Sequence, residues 1–346
     1  MAASLTERER QVLEAVIETY VQTAEPAGSR TVARRFGLAL SSASIRNTMS
    51  DLEEKGYLYH PHPSAGRIPT DLAYRMYVDS LMRPPPVSAS DSHQIRAQLA
   101  GERNAVDQIL ERAAQVLGVL TKELGVAVSP SLDEAVLERL ELLQVSSERL
   151  LLVLALRSGV VRTIFVEVPS HMASEAVVHV ALVLNERLAG LTLREIRSTL
   201  PDRLRDAAAD RGSSELLNIF IQEAGELFEV PSAGAASSGV VLGSAQLLAE
   251  QPEFATKERL QGLMQVTEQR DLLREALAHR LAQGLTITIG SEHPDSRLTA
   301  FTLVTASYRL GPLSGVIGVM GPTRMPYDKI VALVDHTSRL VSELLK

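Results

Sequence analysis

Ser44, Arg46, Asn47 and Ser50 are the residues of this chain whose types and spacing could read a chemical pattern. They are interleaved with Ile45, Met49 and Leu52, which recur at intervals of four and three and so form one apolar stripe of a short helix. The four polar side chains point away from that stripe. An Arg fork takes both acceptors of a guanine edge, an Asn amide pairs with adenine, and a Ser hydroxyl suits a base or a phosphate. The chemistry they could perform is hydrogen bonding in the grooves of duplex DNA. Ser41 or Ser42 can cap the helix, and Gly56 can stop it in the left-handed conformation.

Such a helix needs a frame, and the flanking sequence supplies one. Thr6-Glu7-Arg8-Glu9 is a capping box, and Val12, Val16, Ile17 and Tyr20 then share one helical face. Pro26-Ala27-Gly28 breaks the chain. A second helix runs from Ser29, buries Val32, Ala33 and Phe36, and ends at Gly37. Three helices with a tight joint before the third predict a helix-turn-helix. Tyr57-Leu58-Tyr59 alternates as a strand, Ala65-Gly66 turns, and Arg67-Ile68 begins the return, which predicts a β-wing with Arg67 at or near its tip. Gly66 and Arg67 therefore join Ser44, Arg46, Asn47 and Ser50 in the expected contact set. Arg30, Arg34 and Arg35 are expected on phosphates.

The placement of charge agrees with this reading, although total charge does not. Residues 1–83 are neutral, yet residues 26–50 contain Arg30, Arg34, Arg35 and Arg46 and no acid. Local rather than net charge governs contact with phosphate. The net charge of −7 falls on the remainder of the chain, which therefore has no reason to hold nucleic acid.

Ser44-Ile45-Arg46-Asn47, Asp51-Leu52-Glu53-Glu54, Gly56-Tyr57 and, above all, Ser64-Ala65-Gly66-Arg67-Ile68-Pro69-Thr70 resemble the heat-inducible transcription repressor family, HrcA. Tyr74-Arg75-Met76-Tyr77-Val78-Asp79, Gln251-Pro252-Glu253-Phe254 and Gly321-Pro322-Thr323-Arg324-Met325-Pro326-Tyr327 extend the resemblance over nearly the whole chain. It implies an α+β chain: an N-terminal winged helix-turn-helix, a GAF-like antiparallel sheet domain, and an inserted, mainly helical dimerisation domain. It also implies a homodimer on an inverted-repeat operator upstream of chaperone genes, competence lost on heat stress, and a chaperonin that assists the repressor's folding. A two-fold dimer is expected on physical grounds too, because one recognition helix spans too few base pairs for a unique address.

The sequence pattern predicts the boundaries as follows. Residues 1–82 form the DNA-binding domain, and the Pro-rich run from Arg83 to Ser90 makes 83–92 a stiff linker. Strands are predicted at 140–145, 150–156 and 160–168, with a hairpin at Arg157-Ser158-Gly159. Further strands are predicted at 285–289, 299–308 and 315–320, before a final helix from Tyr327. These two groups suggest one sheet domain over 93–190 and 252–346, interrupted by an insert at 191–251 that carries the loose, small-residue run 232–239.

Other function classes find little support. No run of about 18 apolar residues exists, so no membrane span is expected, and the amino end lacks a signal-peptide core. The absence of cysteine excludes disulfides, thiol chemistry and Cys-ligated zinc, and points to the cytoplasm. There is no GxGxxG, GxxxxGK[ST] or HExxH, so no catalytic site and no cofactor are expected. His60-Pro61-His62 is read as part of the wing rather than as a metal site. The rival reading is a ligand-gated regulator that senses a small molecule in the GAF-like domain.

Overall fold

The computed structural model describes residues 5–37, 40–62, 65–100, 106–130, 132–168, 172–205, 211–228, 239–281 and 283–345. The chain divides into two compact units. One spans 1–128, 240–307 and 316–341, and the other spans 129–239, 308–315 and 342–346.

The first unit opens with three helices and a hairpin. Helix α1 (Glu7–Thr23) starts at the capping box, where Thr6 Oγ1 accepts from the Glu9 amide at 3.3 Å and Glu9 Oε2 accepts from the Thr6 amide at 2.8 Å. It ends at Ala24, which takes a positive φ of 56°. Helix α2 (Ser29–Phe36) stops at Gly37, and α3 (Ser42–Glu54) is capped by Ser41, whose Oγ accepts from the Ser44 amide at 3.1 Å. Val12, Val16, Ile17, Val32, Ile45, Met49 and Leu52 form their shared core. Strands β1 (Leu58–Tyr59) and β2 (Ile68–Pro69) pair antiparallel, with Leu58 opposite Pro69 and Tyr59 opposite Ile68. Helix α4 (Asp71–Met76), capped by Thr70, continues through a wider turn to Leu81.

The chain goes on through α5 (Ala89–Leu99), α6 (Val106–Thr121) and β3 (Leu124–Val128). Positions 101 and 104, where the sequence suggests an early helix break, lie outside the described residues.

The second unit then begins. Strands β4 (Leu137–Ser146), β5 (Arg149–Leu156) and β6 (Val161–Glu167) form a three-stranded antiparallel sheet, followed by α7 (Ser174–Leu188), α8 (Leu193–Leu204), α9 (Arg211–Gln222) and α10 (Ala224–Phe228). One face of that sheet is a ladder of leucines: Leu140, Leu142, Leu150, Leu152, Leu154 and Leu156. These pack on Val180, Leu184, Ile196, Leu200 and Phe220 of the helices.

The chain returns to the first unit with β7 (Val240–Leu242), α11 (Gln246–Ala249), α12 (Lys257–Glu268), α13 (Arg270–Ala278), β8 (Thr286–Ile289), β9 (Phe301–Leu310), β10 (Leu313–Pro322) and α14 (Tyr327–Leu344). The far ends of β9 and β10 belong to the second unit. The five-stranded sheet has the order β7-β3-β10-β9-β8. Its helix-covered core holds Leu124, Val126, Phe254, Leu273, Phe301, Leu303 and Val316, with the Phe254 and Phe301 rings stacked at 5.9 Å.

The division of the chain differs from the sequence expectation. The predicted strands at 140–168 do not join the sheet of the C-terminal strands. Their leucine face is buried against the helices of 174–228, and each fully buried Leu contributes about 1.5–3 kcal/mol. Strand β3, which the sequence reading did not predict, pairs with β10 instead, and β7 pairs with β3. The inserted segment is accordingly 129–239 rather than 191–251. The run 231–238 lies outside the described residues. The residues expected to form a separate domain at 1–82 share a unit with the five-stranded sheet.

Candidate nucleic-acid interface

Helix α3 presents its polar face to solvent as the spacing predicts. Arg46, Asn47 and Ser50 are exposed, and Ser44 is half-buried beside the cap. Thr48, between them, is buried and donates to the Ser44 carbonyl at 3.1 Å, so it serves the helix rather than the surface. Arg30, Arg34 and Arg35 of α2 are exposed as well. Among the described residues, Arg30, Arg34, Arg35 and Arg46 make no hydrogen bond or ion pair, so four guanidinium groups keep all their donors available. By contrast, Lys55 is committed to Glu9 at 2.6 Å. That contact and the Thr6 cap hold the Glu9 carboxyl below its usual range, against the effect of its burial.

The wing residues are engaged within the protein. The turn at the tip closes between His62 and Ala65, where the Ala65 amide donates to the His62 carbonyl at 2.9 Å. Positions 63 and 64 lie outside the described residues. Arg67 lies two positions past that turn, just beyond the Tyr59–Ile68 pair, and its side chain is engaged within the protein. It exchanges backbone hydrogen bonds with Ala27, at 2.8 and 3.0 Å, a single antiparallel bridge between the wing and the α1–α2 turn. The β1–β2 register sets Arg67 across from His60, and both side chains converge on Glu53 of α3. Arg67 Nη2 lies 2.7 Å from Glu53 Oε2, and His60 Nδ1 meets Oε1. Only 19% of the Arg67 side chain is exposed.

Gly66 also has a local duty. A Cβ there would lie 2.5 Å from the Pro26 carbonyl oxygen. No side chain fits where the wing crosses the α1–α2 turn. The sequence counted Gly66 and Arg67 with the contact residues, whereas the structure sets them in the seam that holds the wing to the helices.

Sequence reasoning missed the polar contacts that fasten these helices to the five-stranded sheet within the first unit. Arg75 of α4 donates to Glu292 at 2.5 and 2.6 Å and to the Ile287 carbonyl at 2.8 Å, and Asp71 accepts from the Ser291 amide at 2.9 Å. Arg324 donates to the Val21 carbonyl of α1 at 2.7 Å and binds Glu253 with both arms of its fork. The Tyr74 and Tyr327 rings, both buried, lie 5.6 Å apart between these contacts. The separate motifs at 74–79, 251–254 and 321–327 were the available signal: they meet in space.

A comparison with protein-family models matches residues 107–331 to the C-terminal domain of HrcA. Among curated proteins, the heat-inducible transcription repressor HrcA of Chlorobium phaeobacteroides (strain BS1) is 38% identical over 357 aligned positions, covering 100% of this chain and 99% of the relative. That of Geobacter sulfurreducens is 35% identical over 344, covering 99% and 98%. A solved structure described only as a hypothetical protein shares the fold, with a TM-score of 0.60 at 22% identity over 99% of each chain. The matches define a mixed α+β transcription regulator, not an enzyme. The chain belongs to the HrcA family of heat-inducible transcription repressors. No helix among the described residues is long and apolar enough to cross a membrane.

Proposed function

We propose that residues 5–82 are a winged helix-turn-helix and that α3 enters the major groove of a two-fold operator upstream of heat-shock chaperone genes. Arg46 and Asn47 then read base edges with Ser44 and Ser50 beside them, while Arg30, Arg34 and Arg35 anchor phosphates. Arg67 and Gly66 shape the wing. The observation that carries this reading is the set of four exposed guanidinium groups on α2 and α3 that make no ion pair among the described residues, in a stretch free of carboxylates. Electrophoretic titration of an inverted-repeat duplex against its isolated half-site tests it. Tight, salt-sensitive binding to the full repeat is the expected result, and equal affinity for unrelated duplexes refutes it.

The five-stranded sheet is read as the GAF-like domain and the unit at 129–239 as the dimerisation domain. The outer face of β4–β6 supports the latter. Leu143, Leu151 and Phe165 lie in register across the three strands, with Leu143 50% and Phe165 61% exposed. A row of large apolar groups in water favours association. Heat then acts by depleting the folded dimer, and a chaperonin restores it. The measurement for the dimer is sedimentation of the intact chain. Phe165→Glu is expected to shift it toward monomer, and an unchanged dimer would remove this face from the interface.

A further inference from the structure

Five arginines lie between positions 26 and 70: Arg30, Arg34, Arg35, Arg46 and Arg67. The first four are exposed and make no ion pair among the described residues. Arg67 is held instead. Its Nη2 lies 2.7 Å from Glu53 Oε2, and only 19% of its side chain is exposed. Its Nε is buried without a hydrogen-bond partner, so among the described residues the Glu53 carboxylate alone fixes this guanidinium.

Glu53 is itself oddly placed. Positions 46, 50 and 53 of α3 are spaced by four and three residues, which sets Glu53 on the same stripe as Arg46 and Ser50. A carboxylate at the end of a stripe that meets phosphates is repelled by them. Both of its oxygens are taken by the wing, Oε2 by Arg67 and Oε1 by His60 Nδ1. These two residues face each other across the wing, just beyond the Tyr59–Ile68 pair. The carboxylate and the guanidinium cancel each other's charge, so neither acts strongly on a nearby backbone.

We propose that Glu53 is a specificity-determining residue of the DNA-reading surface: it withholds the Arg67 guanidinium from phosphate and ties the wing to α3, so that the wing adds alignment rather than sequence-blind charge. This inference rests on the reading of residues 5–82 as a winged helix-turn-helix with α3 in the major groove. A free guanidinium beside the reading helix meets the backbone of any duplex alike. It raises affinity for operator and unrelated DNA together, and each added phosphate contact steepens the salt dependence by about one. Discrimination is a ratio of the two affinities, so a contact that favours both, gained by loosening the wing, lowers it.

The test is a competition titration of the full chain against an inverted-repeat operator and an unrelated duplex of equal length, over a series of salt concentrations. Glu53→Gln removes the charge and keeps the length of the side chain. Its affinity for the unrelated duplex is expected to rise about three- to tenfold, with a slope of log affinity against log salt steeper by about one for each bound copy. The ratio of operator to unrelated affinity is expected to fall about threefold or more. Glu53→Ala, which cannot hold Arg67 at all, should show the same gain. Adding Arg67→Ala to either variant should cancel the gain, because no guanidinium is left to release. A purely structural role for Glu53 predicts weaker binding to both duplexes and no such cancellation. The proposal is overturned if both Glu53 variants keep or lose the wild type's affinity and slope on unrelated DNA, or if the double variants retain the gain. A wild-type protein with no preference for the operator refutes the winged-helix reading itself, and this inference with it.

Discussion

Glu123 offers the sharpest test of how the first unit is held together. The side chain is 2% exposed, between the end of α6 and the start of β3. Its Oε2 accepts from Gln251 Nε2 at 2.9 Å. It also fills the space over Gly321, where a Cβ would lie only 2.2 Å away. Gln251 and the charge of Arg324 favour the ionised form, but burial outweighs them and pushes the carboxyl up to about 8. The sign of the consequence is fixed. In the unfolded chain the group titrates near 4.5. Between about pH 4.5 and 8 the unfolded chain has released its proton while the folded chain keeps it. The stability associated with this group is therefore fully present below about 4.5 and is lost progressively as pH rises toward 8.

A shift of that size corresponds to a ceiling of about 5 kcal/mol. Relaxation of the site and access of water to the ionised carboxyl reduce the expected loss to about 2–3 kcal/mol. Glu123→Gln keeps the shape and cannot ionise. Urea unfolding at intervals from pH 4.5 to 9 should show the wild type losing that stability relative to the variant. Every other titrating group cancels in the difference between the two profiles, and a constant offset from the altered hydrogen bonds does not change its slope. If the two profiles ran parallel across the whole range, the carboxyl would have to be ionised in the folded protein, and the argument from burial would fail.

The other expectations concern the surface and its supports. Arg46→Ala should cost about 1–3 kcal/mol on operator DNA and relax base preference at one position, as measured by competition with single-base variants; equal losses on random duplexes would make it a phosphate contact. Arg34→Ala should lower the slope of log affinity against log salt by about one, whereas Arg67→Ala, already paired with Glu53, should leave that slope nearly unchanged. An Arg67 variant that lost a full unit of slope would put this side chain on the DNA after all. Gly66→Ala should destabilise the module by about 1–3 kcal/mol, because its methyl meets backbone atoms that have no rotamer to change; thermal melting of the variant alongside the wild type reads the loss. Arg324→Ala, which strands Glu253 and frees the Val21 carbonyl, should lower stability by about 1–3 kcal/mol, and an unchanged urea midpoint would mean the fork contributes nothing.

The parts legible in the sequence were those set by short-range rules. The capping box at Thr6, the left-handed stops at Gly37 and Gly56, and the Ile45–Met49–Leu52 stripe are written within a few residues of where they act. So is the hairpin at Arg157-Ser158-Gly159. The division of the strands was not legible, because period and propensity say that a segment is a strand and not which sheet takes it. Leu124–Val128 is a five-residue apolar run that is buried along its whole length, and directly after a helix it reads as more helix. The ion pair of Arg67 was hidden for a related reason. Its position in the motif was visible, but the carboxylate that engages it lies on α3, fourteen positions earlier, and only the wing register brings the two together.

That contrast explains why the two Arg-bearing motifs outside the proposed DNA face matter. Arg75 and Arg324 are separated by most of the chain, yet each ties a helix of the first eighty residues to the five-stranded sheet through a carboxylate and a backbone carbonyl. A guanidinium is suited to such a joint, since its planar fork satisfies a carboxylate and still has a donor for a carbonyl, which a lysine could not do in the same geometry. Both joints are only partly buried, with Arg75 27% and Arg324 13% exposed. Each is therefore strong enough to fix an orientation and weak enough to part without unfolding either side. If the N-terminal helices reorient to meet an operator, these are the contacts that must open. Substituting Arg75 with Ala should then raise operator affinity while lowering the melting temperature, whereas a fall in both would mean that the orientation held by Arg75 is itself the one that meets DNA.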